Sequence, residues 1–353
     1  MNKYFIHHYK LPDINQNWWE LASIQLTGVT SLPVLLASIL IIQASNITSG
    51  IVTLILGNII LWIIRYAIIK MGHDGRKSIL DVAYVYLGKF GTYFIAIALL
   101  VATLAWFVMQ TTIATNALTD LFPINEPEEI NKFIQIGVFI GIISTLLCIN
   151  GMVLLRWISV VSFPIILIAF IGIFFWGNPS LPAKINNGIS LAGLPIILGA
   201  NLGITADLPT FFRHSKSLKD SLRALTAIQI FSFVFGLAAL FLGAVITPWL
   251  DVNQNINFSS PSLFLKISLI SLIFFSTICS NVSSVYSASV GWELIAPIFA
   301  GIKEYLILGL GLTLIFILIS NIFSLNFLAD MTGFALVNLS ILFVLILKPA
   351  AIG

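Results

Sequence analysis

The sequence predicts an all-α integral membrane protein with about ten transmembrane helices. Of its 353 residues, 59% are hydrophobic and only 9% are charged, and the mean hydropathy is +1.04. A soluble domain carries roughly 25% charged residues, so this chain has too few charges to cover its surface in water. Its long continuous apolar runs also exclude the alternating pattern of a membrane β-barrel, which leaves helices as the spanning structure.

Ten segments approach the roughly 20 apolar residues that a helix needs to cross a bilayer. We number them spans 1 to 10 in chain order: Leu21–Ile42, Ile51–Ile69, Thr92–Leu118, Phe133–Ile149, Trp157–Trp176, Ile189–Phe212, Ala224–Ile246, Leu263–Tyr286, Tyr305–Phe323 and Leu328–Leu347. Span 1 is too long for a cleavable signal sequence and is expected to remain in the protein.

The basic residues predict the orientation of these spans. Fourteen of the 17 Lys and Arg residues fall on the side that holds the N-terminus, and only Lys132, Lys184 and Lys266 fall on the other. Because basic loops stay in the cytoplasm, we expect both termini there, in a multi-pass protein of the plasma membrane, the inner membrane of a bacterium. A net charge of +3 is too small to indicate nucleic acid as a partner.

Residues 1–353 are expected to form a single membrane domain, because no polar stretch is long enough for a soluble one. We divide it into a cytoplasmic tail (1–20), a first half of five helices (21–176) and a second half of five helices (189–347). Spans 1 and 6, which are five apart, both carry Gly and Pro near their middle: Gly28, Ser31 and Pro33 in the first, and Gly199, Gly203 and Pro209 in the second.

Broken helices in corresponding halves are typical of inverted-repeat transporters, with a binding site near the midplane of the membrane. The sequence therefore predicts a 5+5 inverted repeat in which helices 1 and 6 are broken and unwound backbone exposes carbonyl groups to a solute. The alternative is that Gly and Pro are simply common in membrane helices.

Span 3 contains the first pair of side chains suited to bind a solute. Trp106 and Gln110 are four residues apart and share one face of a helix. An indole offers a flat surface for a heterocycle, and an amide both donates and accepts at its edge. Trp106 lies in the middle of the span, so an interfacial aromatic belt does not explain it, whereas core packing does remain an alternative.

Span 8 concentrates small polar residues, among which Ser276, Ser280 and Ser283 align at helical spacing. Hydroxyl groups that face carbonyls freed by a broken helix 1 can replace the water shell of a hard cation such as Na⁺. The alternative is close packing between helices, where Ser and Thr are enriched.

Charged residues inside the membrane are rare, and Asp207 in span 6 is the deepest of them. We interpret Asp207 as an ion-pair residue at the cytoplasmic end of the span, ahead of Arg213, with a proton-carrying role as the alternative. An enzyme would need acids, histidines or metal ligands clustered at one membrane surface. The sequence has no such cluster, and Cys148 and Cys279 show no metal-ligand spacing, so we expect neither an enzyme nor a cofactor.

Six short motifs, in five of the spans and their flanks, resemble the nucleobase:cation symporter 1 family of cytosine, purine, allantoin and hydantoin permeases. The resemblance covers roughly residues 15–350. The matching residues, in order, are Gly57-Asn58, Gly88-Lys89-Phe90-Gly91, Ala105-Trp106-Phe107 with Gln110, Ser159 with Pro164, Thr205-Ala206-Asp207 with Arg213, and Asn281 with Tyr286-Ser287-Ala288-Ser289.

The resemblance implies the leucine-transporter fold and two sites. In the substrate site, Trp106 would stack on the ring, Gln110 would bond its edge and Asn281 would add a polar contact, together with residues of the broken helices: Gly28, Thr30, Asn201 and Gly203. A candidate Na⁺ site would lie between helices 1 and 8: Thr27, Thr30, Ser276, Cys279 and Ser280.

The chain departs from the family pattern at two positions and in length. Leu198 stands where a second stacking aromatic is expected, and Cys279 stands where sodium-coupled members place a hydroxyl. A thiol is a poor Na⁺ ligand, so H⁺ coupling is an alternative to Na⁺ coupling. Family members typically have twelve spans, against ten predicted here.

We therefore expect a secondary active symporter of a nucleobase or related planar N-heterocycle, such as cytosine, a purine or a hydantoin, coupled to Na⁺ or H⁺ and working by alternating access. Its partners would be this small molecule and the lipid bilayer, and the sequence does not indicate an oligomeric state. The alternatives are an amino-acid carrier of the same fold and, from another class, a non-transporting membrane scaffold or shortened inactive copy.

Overall fold

The computed structural model of the chain describes residues 16–44, 46–73, 77–121, 129–177, 188–246, 262–296, 299 and 301–320. These residues form eleven helices: α1 Trp18–Val29, α2 Leu32–Ala44, α3 Ile47–His73, α4 Ile79–Asp120, α5 Glu129–Cys148, α6 Met152–Trp176, α7 Leu194–Ala206, α8 Leu208–Phe212, α9 Leu218–Ile246, α10 Leu263–Ile295 and α11 Ile302–Ser320.

Within the described residues, seven helices are long and apolar enough to cross a membrane, or eight when the bent pair α1 and α2 counts as one span. Spans 2 to 5 correspond to α3 to α6, and spans 7 to 9 correspond to α9 to α11. Span 6 is divided into α7, of 13 residues, and α8, of five residues. Span 10 lies outside the described residues, as does most of the predicted N-terminal tail.

Span 1 is broken where the sequence predicts. Helix α1 ends at Val29, α2 begins at Leu32, and the two are bent by 62°. Pro33 has no N–H to donate to the carbonyl of Val29, so the helical ladder cannot continue through this point. The Thr30 N–H instead bonds the Leu26 carbonyl at 2.9 Å and the Ser31 N–H bonds the Gly28 carbonyl at 3.1 Å, which closes the end of α1.

Span 6 is broken nearer to its C-terminal end than the glycines suggest. Gly199 and Gly203 both lie within α7, and the interruption is at Asp207, whose φ of −95° and ψ of 2° are not helical. Pro209 causes it, since it cannot donate to the Thr205 carbonyl four residues earlier. The Asp207 N–H bonds that carbonyl instead.

Helix α4 contains a third interruption, which the sequence analysis did not predict. Gly88 has φ 68° and ψ −169°, a conformation open essentially to glycine alone. It separates a short segment after residue 79 from the long segment that carries Trp106.

Helix α10 lies at the centre of the bundle and packs chiefly against α4 and α6, while α1 packs against α6, α9 and α10. Three interactions stabilise the start of α1. Asn17 and Glu20 form a capping box, Glu20 pairs with Arg156 at 3.6 Å, and Gln16 forms a parallel β-bridge with Ser215. Helix α1 contacts α10 and helix α8 contacts α4, so each broken span lies against one of these two helices.

Candidate functional site

A cavity lies where α1, α4, α8 and α10 meet, beside both broken helices. Its volume is about 60 Å³, counted as the space open to the centres of water molecules, which is room for a few waters. Apolar and hydroxyl-bearing side chains share its wall: Ile24, Gln25, Gly28, Leu99, Ala102, Thr103, Trp106, Asp207, Phe211, Ser280, Ser283, Ser284 and Ser287.

Trp106 lines this cavity, as does Ser280 of the serine cluster on α10. The indole is 8% exposed, and its Nε1–H donates to the Ser280 hydroxyl at 3.4 Å. This hydrogen bond fixes the nitrogen edge of the ring, and the indole forms part of the cavity wall. An indole is an aromatic surface on which a planar solute can stack.

Gln110 and Asn281 are fully buried and join α4 to α10 in this conformation. The Ser280 hydroxyl donates to Gln110 Oε1 at 2.7 Å, and Gln110 Nε2 donates to the Thr277 carbonyl at 3.4 Å. Asn281 Nδ2 donates to the Thr111 hydroxyl at 2.9 Å. Neither amide lines the cavity, so a solute would reach them only by exchanging these hydrogen bonds, and their role in binding stays a prediction.

The four residues predicted from the broken helices are separated in the structure. Gly28 lines the cavity. The Thr30 hydroxyl donates to the Leu26 carbonyl at 2.8 Å within its own helix. Asn201 lies on the side of α7 that faces α3, where its backbone carbonyl accepts from Arg65, and Gly203 lies two residues further along the same helix.

The candidate Na⁺ residues are buried on α1 and α10, two helices that touch each other. The Thr27 hydroxyl bonds the Ile24 carbonyl at 2.8 Å, and the Ser276 hydroxyl bonds the Ile273 carbonyl at 3.4 Å. In the described part of the chain, no hydrogen bond joins Thr27 or Thr30 to Ser276, Cys279 or Ser280. The hydroxyls of Thr27 and Ser276 instead bond carbonyls of their own helices, and the Ser280 hydroxyl bonds Gln110 of α4. The role of these residues as ion ligands stays a prediction.

Asp207 occupies the break of span 6 and lines the cavity. Its Oδ2 accepts a hydrogen bond from the Ser287 hydroxyl of α10. Arg213, the expected partner of Asp207, donates from Nη2 to the Tyr286 hydroxyl at 3.4 Å, and His214 Nε2 lies 3.2 Å from the same hydroxyl. The break of span 6 is thus tied to α10 through hydroxyl groups.

Gln25, Ser287 and Phe211 also line the cavity, and the sequence analysis assigned none of the three to the site, although Ser287 belongs to one of the matching motifs. A signal for Gln25 was present. It is a polar residue inside an apolar span, and it precedes Gly28 by three residues, which places both on one face of α1.

Arg65 was counted only as a cytoplasmic charge, but it is 1% exposed and holds the broken helix α7 against α3 and α9. Its Nε donates to the Thr205 hydroxyl at 2.9 Å and its Nη2 donates to the Asn201 carbonyl at 3.1 Å. Its Nη1 donates to Gln229 Oε1. A cation near the last carbonyls of a helix is favourable because it meets the negative end of the helix dipole.

No family model matches the sequence, and no curated protein matches it. Solved structures with the same fold are found. Mhp1, a nucleobase-cation-symport-1 family transporter, in a closed conformation with bromovinylhydantoin bound, aligns with a TM-score of 0.67 and 15% identity over 94% of this chain and 76% of that one. Inward-facing Mhp1 aligns with a TM-score of 0.60 and 15% identity over 92% of this chain and 78% of that one.

A manganese transporter of Eremococcus coleocola aligns with a TM-score of 0.61 and 13% identity over 92% of this chain and 76% of that one. These alignments confirm the predicted fold, an all-α membrane architecture of the leucine-transporter type as in Mhp1.

Proposed function

We propose that this chain is a secondary active transporter of the nucleobase-cation-symport-1 type that moves a small planar N-heterocycle, such as cytosine, a purine or a hydantoin. The observation that supports this most is the cavity bounded by the breaks of both halves and walled by the Trp106 indole. Both neighbours named above are transporters, which agrees with the expectation that the chain is not an enzyme.

The chemistry of the cavity favours a flat solute with a few polar atoms. The cavity is lined by two aromatic side chains, Trp106 and Phe211, and by hydroxyl-bearing residues of α10 that include Ser283 and Ser284. Stacking on an aromatic ring contributes about 1–3 kcal/mol for a base. A hydroxyl group can either donate or accept a hydrogen bond. Serine side chains can therefore bind either a donor or an acceptor on the edge of a heterocyclic ring.

Among the described residues, no group of three or more His, Cys, Asp or Glu side chains is placed to hold a metal ion. Metal cargo requires such hard or borderline ligands in one place. This favours an organic solute over the manganese named for one structural neighbour.

We propose Na⁺ or H⁺ as the coupling ion. Sodium would use the hydroxyls and carbonyls around the break of span 1, with Thr27, Thr30, Ser276 and Ser280 as ligands and Cys279 as the weak member of the set. A proton would use Asp207. The asymmetry of basic residues supports a plasma-membrane location with both termini in the cytoplasm.

Uptake into proteoliposomes tests the proposal. Purified protein would be reconstituted and supplied with radiolabelled cytosine, hypoxanthine or hydantoin, under a sodium gradient, a pH gradient or neither. We expect one of these solutes to accumulate under one gradient, and Trp106→Ala to weaken uptake by about tenfold or more because stacking is lost.

Trp157→Ala is the matched control, since Trp157 is 58% exposed on the outer face of α6. Proteoliposomes that accumulate none of these solutes under any gradient, while a set of amino acids is taken up, would contradict the proposed substrate class. Equal uptake by wild type and Trp106→Ala would remove the indole from the site.

A further inference from the structure

A second depression lies on the outer surface of the bundle, between the start of α1 and the beginning of α9, and we call it the α1–α9 groove. Its volume is about 820 Å³, counted in the same way as that of the cavity, and it is open along one side. Trp18 of α1 lines it, and the rest of its wall is one face of α9 from Leu218 to Ile230. Among the described residues, the groove and the cavity share no lining side chain, so the groove is a separate site.

The face of α9 that lines the groove changes from basic to apolar along the helix. Lys219 and Arg223 are exposed and lie about one turn apart. Ala227 is half-buried and Ile230 is 57% exposed, and both lie deeper in the membrane span Leu218–Phe241. From Lys219 to Ile230 the helix rises roughly 16 Å, about half of the roughly 30 Å hydrocarbon core. The groove therefore offers two cations near one membrane surface and an apolar wall to the depth of one leaflet.

The protein does not neutralise these two cations in the part of the chain that the structure describes, where neither Lys219 nor Arg223 is in an ion pair. Asp220, the nearest acid along the chain, instead caps the start of α9. Its Oδ2 accepts from the Ser217 hydroxyl at 2.7 Å, and its N–H donates to the same hydroxyl at 3.1 Å. A cation in the first turn of a helix is opposed by the helix dipole, so the stability of α9 does not explain Lys219.

We propose that the α1–α9 groove binds an anionic phospholipid, with its phosphate between Lys219 and Arg223 and one acyl chain along Ala227 and Ile230. The lipid belongs to the leaflet on the side of the N-terminus, which the basic residues predict to be cytoplasmic. Basic pockets between membrane helices on that side bind anionic headgroups. The Trp18 indole, 37% exposed, forms the opposite wall and is of the residue type enriched at the level of the headgroups.

The charge of the groove favours this occupant over a neutral lipid or a segment of the chain itself. A neutral lipid would leave the two cations without a net negative partner. Residues 1–15, which adjoin Trp18 in the sequence, carry Lys3 and Lys10 against Asp13 alone, so their charge does not complement the groove. The inference depends on the position of α9 in the membrane and not on the transported solute, so it and the proposed function can fail separately.

The test measures lipid binding to the purified full chain in detergent by native mass spectrometry. Phosphatidylglycerol, phosphatidylcholine with the same acyl chains and soluble glycerol 3-phosphate would each be titrated. The groove variant is Lys219→Gln with Arg223→Gln. The matched control is Lys89→Gln with Lys303→Gln, which removes the same charge from exposed positions on the same predicted side of the membrane but outside the groove. The thermal midpoint of each protein would be measured with and without lipid.

We expect wild type to bind phosphatidylglycerol about tenfold or more tightly than phosphatidylcholine, because only the former carries a net negative charge for the two cations. The groove variant should bind both lipids equally, and the control should keep the wild-type preference. Phosphatidylglycerol should raise the thermal midpoint of wild type and control but not that of the groove variant. Without lipid all three proteins should share one midpoint, since the substituted side chains are exposed.

Three results would overturn the inference. Equal affinity of wild type for the two lipids would show that the groove does not recognise charge, and an equal loss of preference in the control would assign the effect to overall charge. Glycerol 3-phosphate bound as tightly as phosphatidylglycerol would make this a free-phosphate site instead of a lipid site. A lower lipid-free midpoint in the groove variant would assign the two cations a structural role.

Discussion

Replacing Arg65 with methionine tests whether a buried cation holds the broken helix α7 in place. Methionine keeps a similar length and removes three hydrogen bonds, to Thr205, to the Asn201 carbonyl and to Gln229. In the described part of the chain Arg65 forms no ion pair with a carboxylate, so its removal leaves no buried negative charge behind. The cost comes from the hydrogen bonds alone.

Each of these hydrogen bonds contributes roughly 1 kcal/mol, which gives a loss of about 3 kcal/mol in the free energy of unfolding. At roughly 2 °C for each kcal/mol, the thermal midpoint should fall by about 6 °C. A thiol-reactive fluorescent dye suits the measurement, because Cys148 and Cys279 are both free and buried and react only when the protein opens.

Gln229→Leu should lose less than Arg65→Met, and the double variant should lose less than the sum of the two, because the residues share one interaction. Arg223→Met is the control, since Arg223 is exposed on α9 and should keep the wild-type midpoint. A midpoint for Arg65→Met within about 1 °C of wild type, where roughly 6 °C is expected, would refute the conclusion that this network stabilises α7.

Three further substitutions test other features of the structure. Gly88→Ala should lower the free energy of unfolding by about 2 kcal/mol through backbone strain alone, because among the described residues, apart from the adjoining chain, no atom lies within 4 Å of the added methyl group. An unchanged denaturation midpoint would mean that α4 runs straight there. Gly291→Ala should lower the free energy of unfolding by roughly 1–3 kcal/mol, since the methyl group would lie 2.9 Å from the Ala96 carbonyl oxygen and push α10 away from α4. Denaturation curves of wild type and variant measure this loss. Cys279→Ser should strengthen the stimulation of uptake by Na⁺ if sodium is the coupling ion, because a hydroxyl is a better Na⁺ ligand than a thiol. Initial uptake rates measured over a sodium titration test this expectation. An unchanged stimulation by Na⁺ would favour proton coupling.

The membrane architecture and the approximate positions of its helices follow from local chemistry that is readable in the sequence. A run of about 20 apolar residues crosses a bilayer whatever its neighbours are. Pro33 and Pro209 each remove one donor from the helical ladder, so the presence of a break in spans 1 and 6 is a local property as well. Gly199 and Gly203 are permissive rather than disruptive, and for that reason the break in span 6 lies at Asp207 instead of beside them.

The candidate site was predictable only in part. Trp106 is conspicuous because a large aromatic ring with a polar N–H is unusual in the middle of an apolar span, and the structure places it on the cavity wall. Gln110 has the same chemical capacity as Gln25, yet one is bonded across to α10 while the other lines the cavity. Their residue type and their spacing along each helix do not distinguish them.

What required the tertiary structure was the pairing of polar groups between helices. Ser280 and Gln110 are 170 residues apart in the chain, and Arg65 and Asn201 are 136 apart. Lipid offers no hydrogen-bond partners, so composition alone dictates that buried polar groups must find partners inside the protein. Which groups meet, and which are left for a solute, depends on how the helices rotate and cross, and that is settled only when the whole bundle packs.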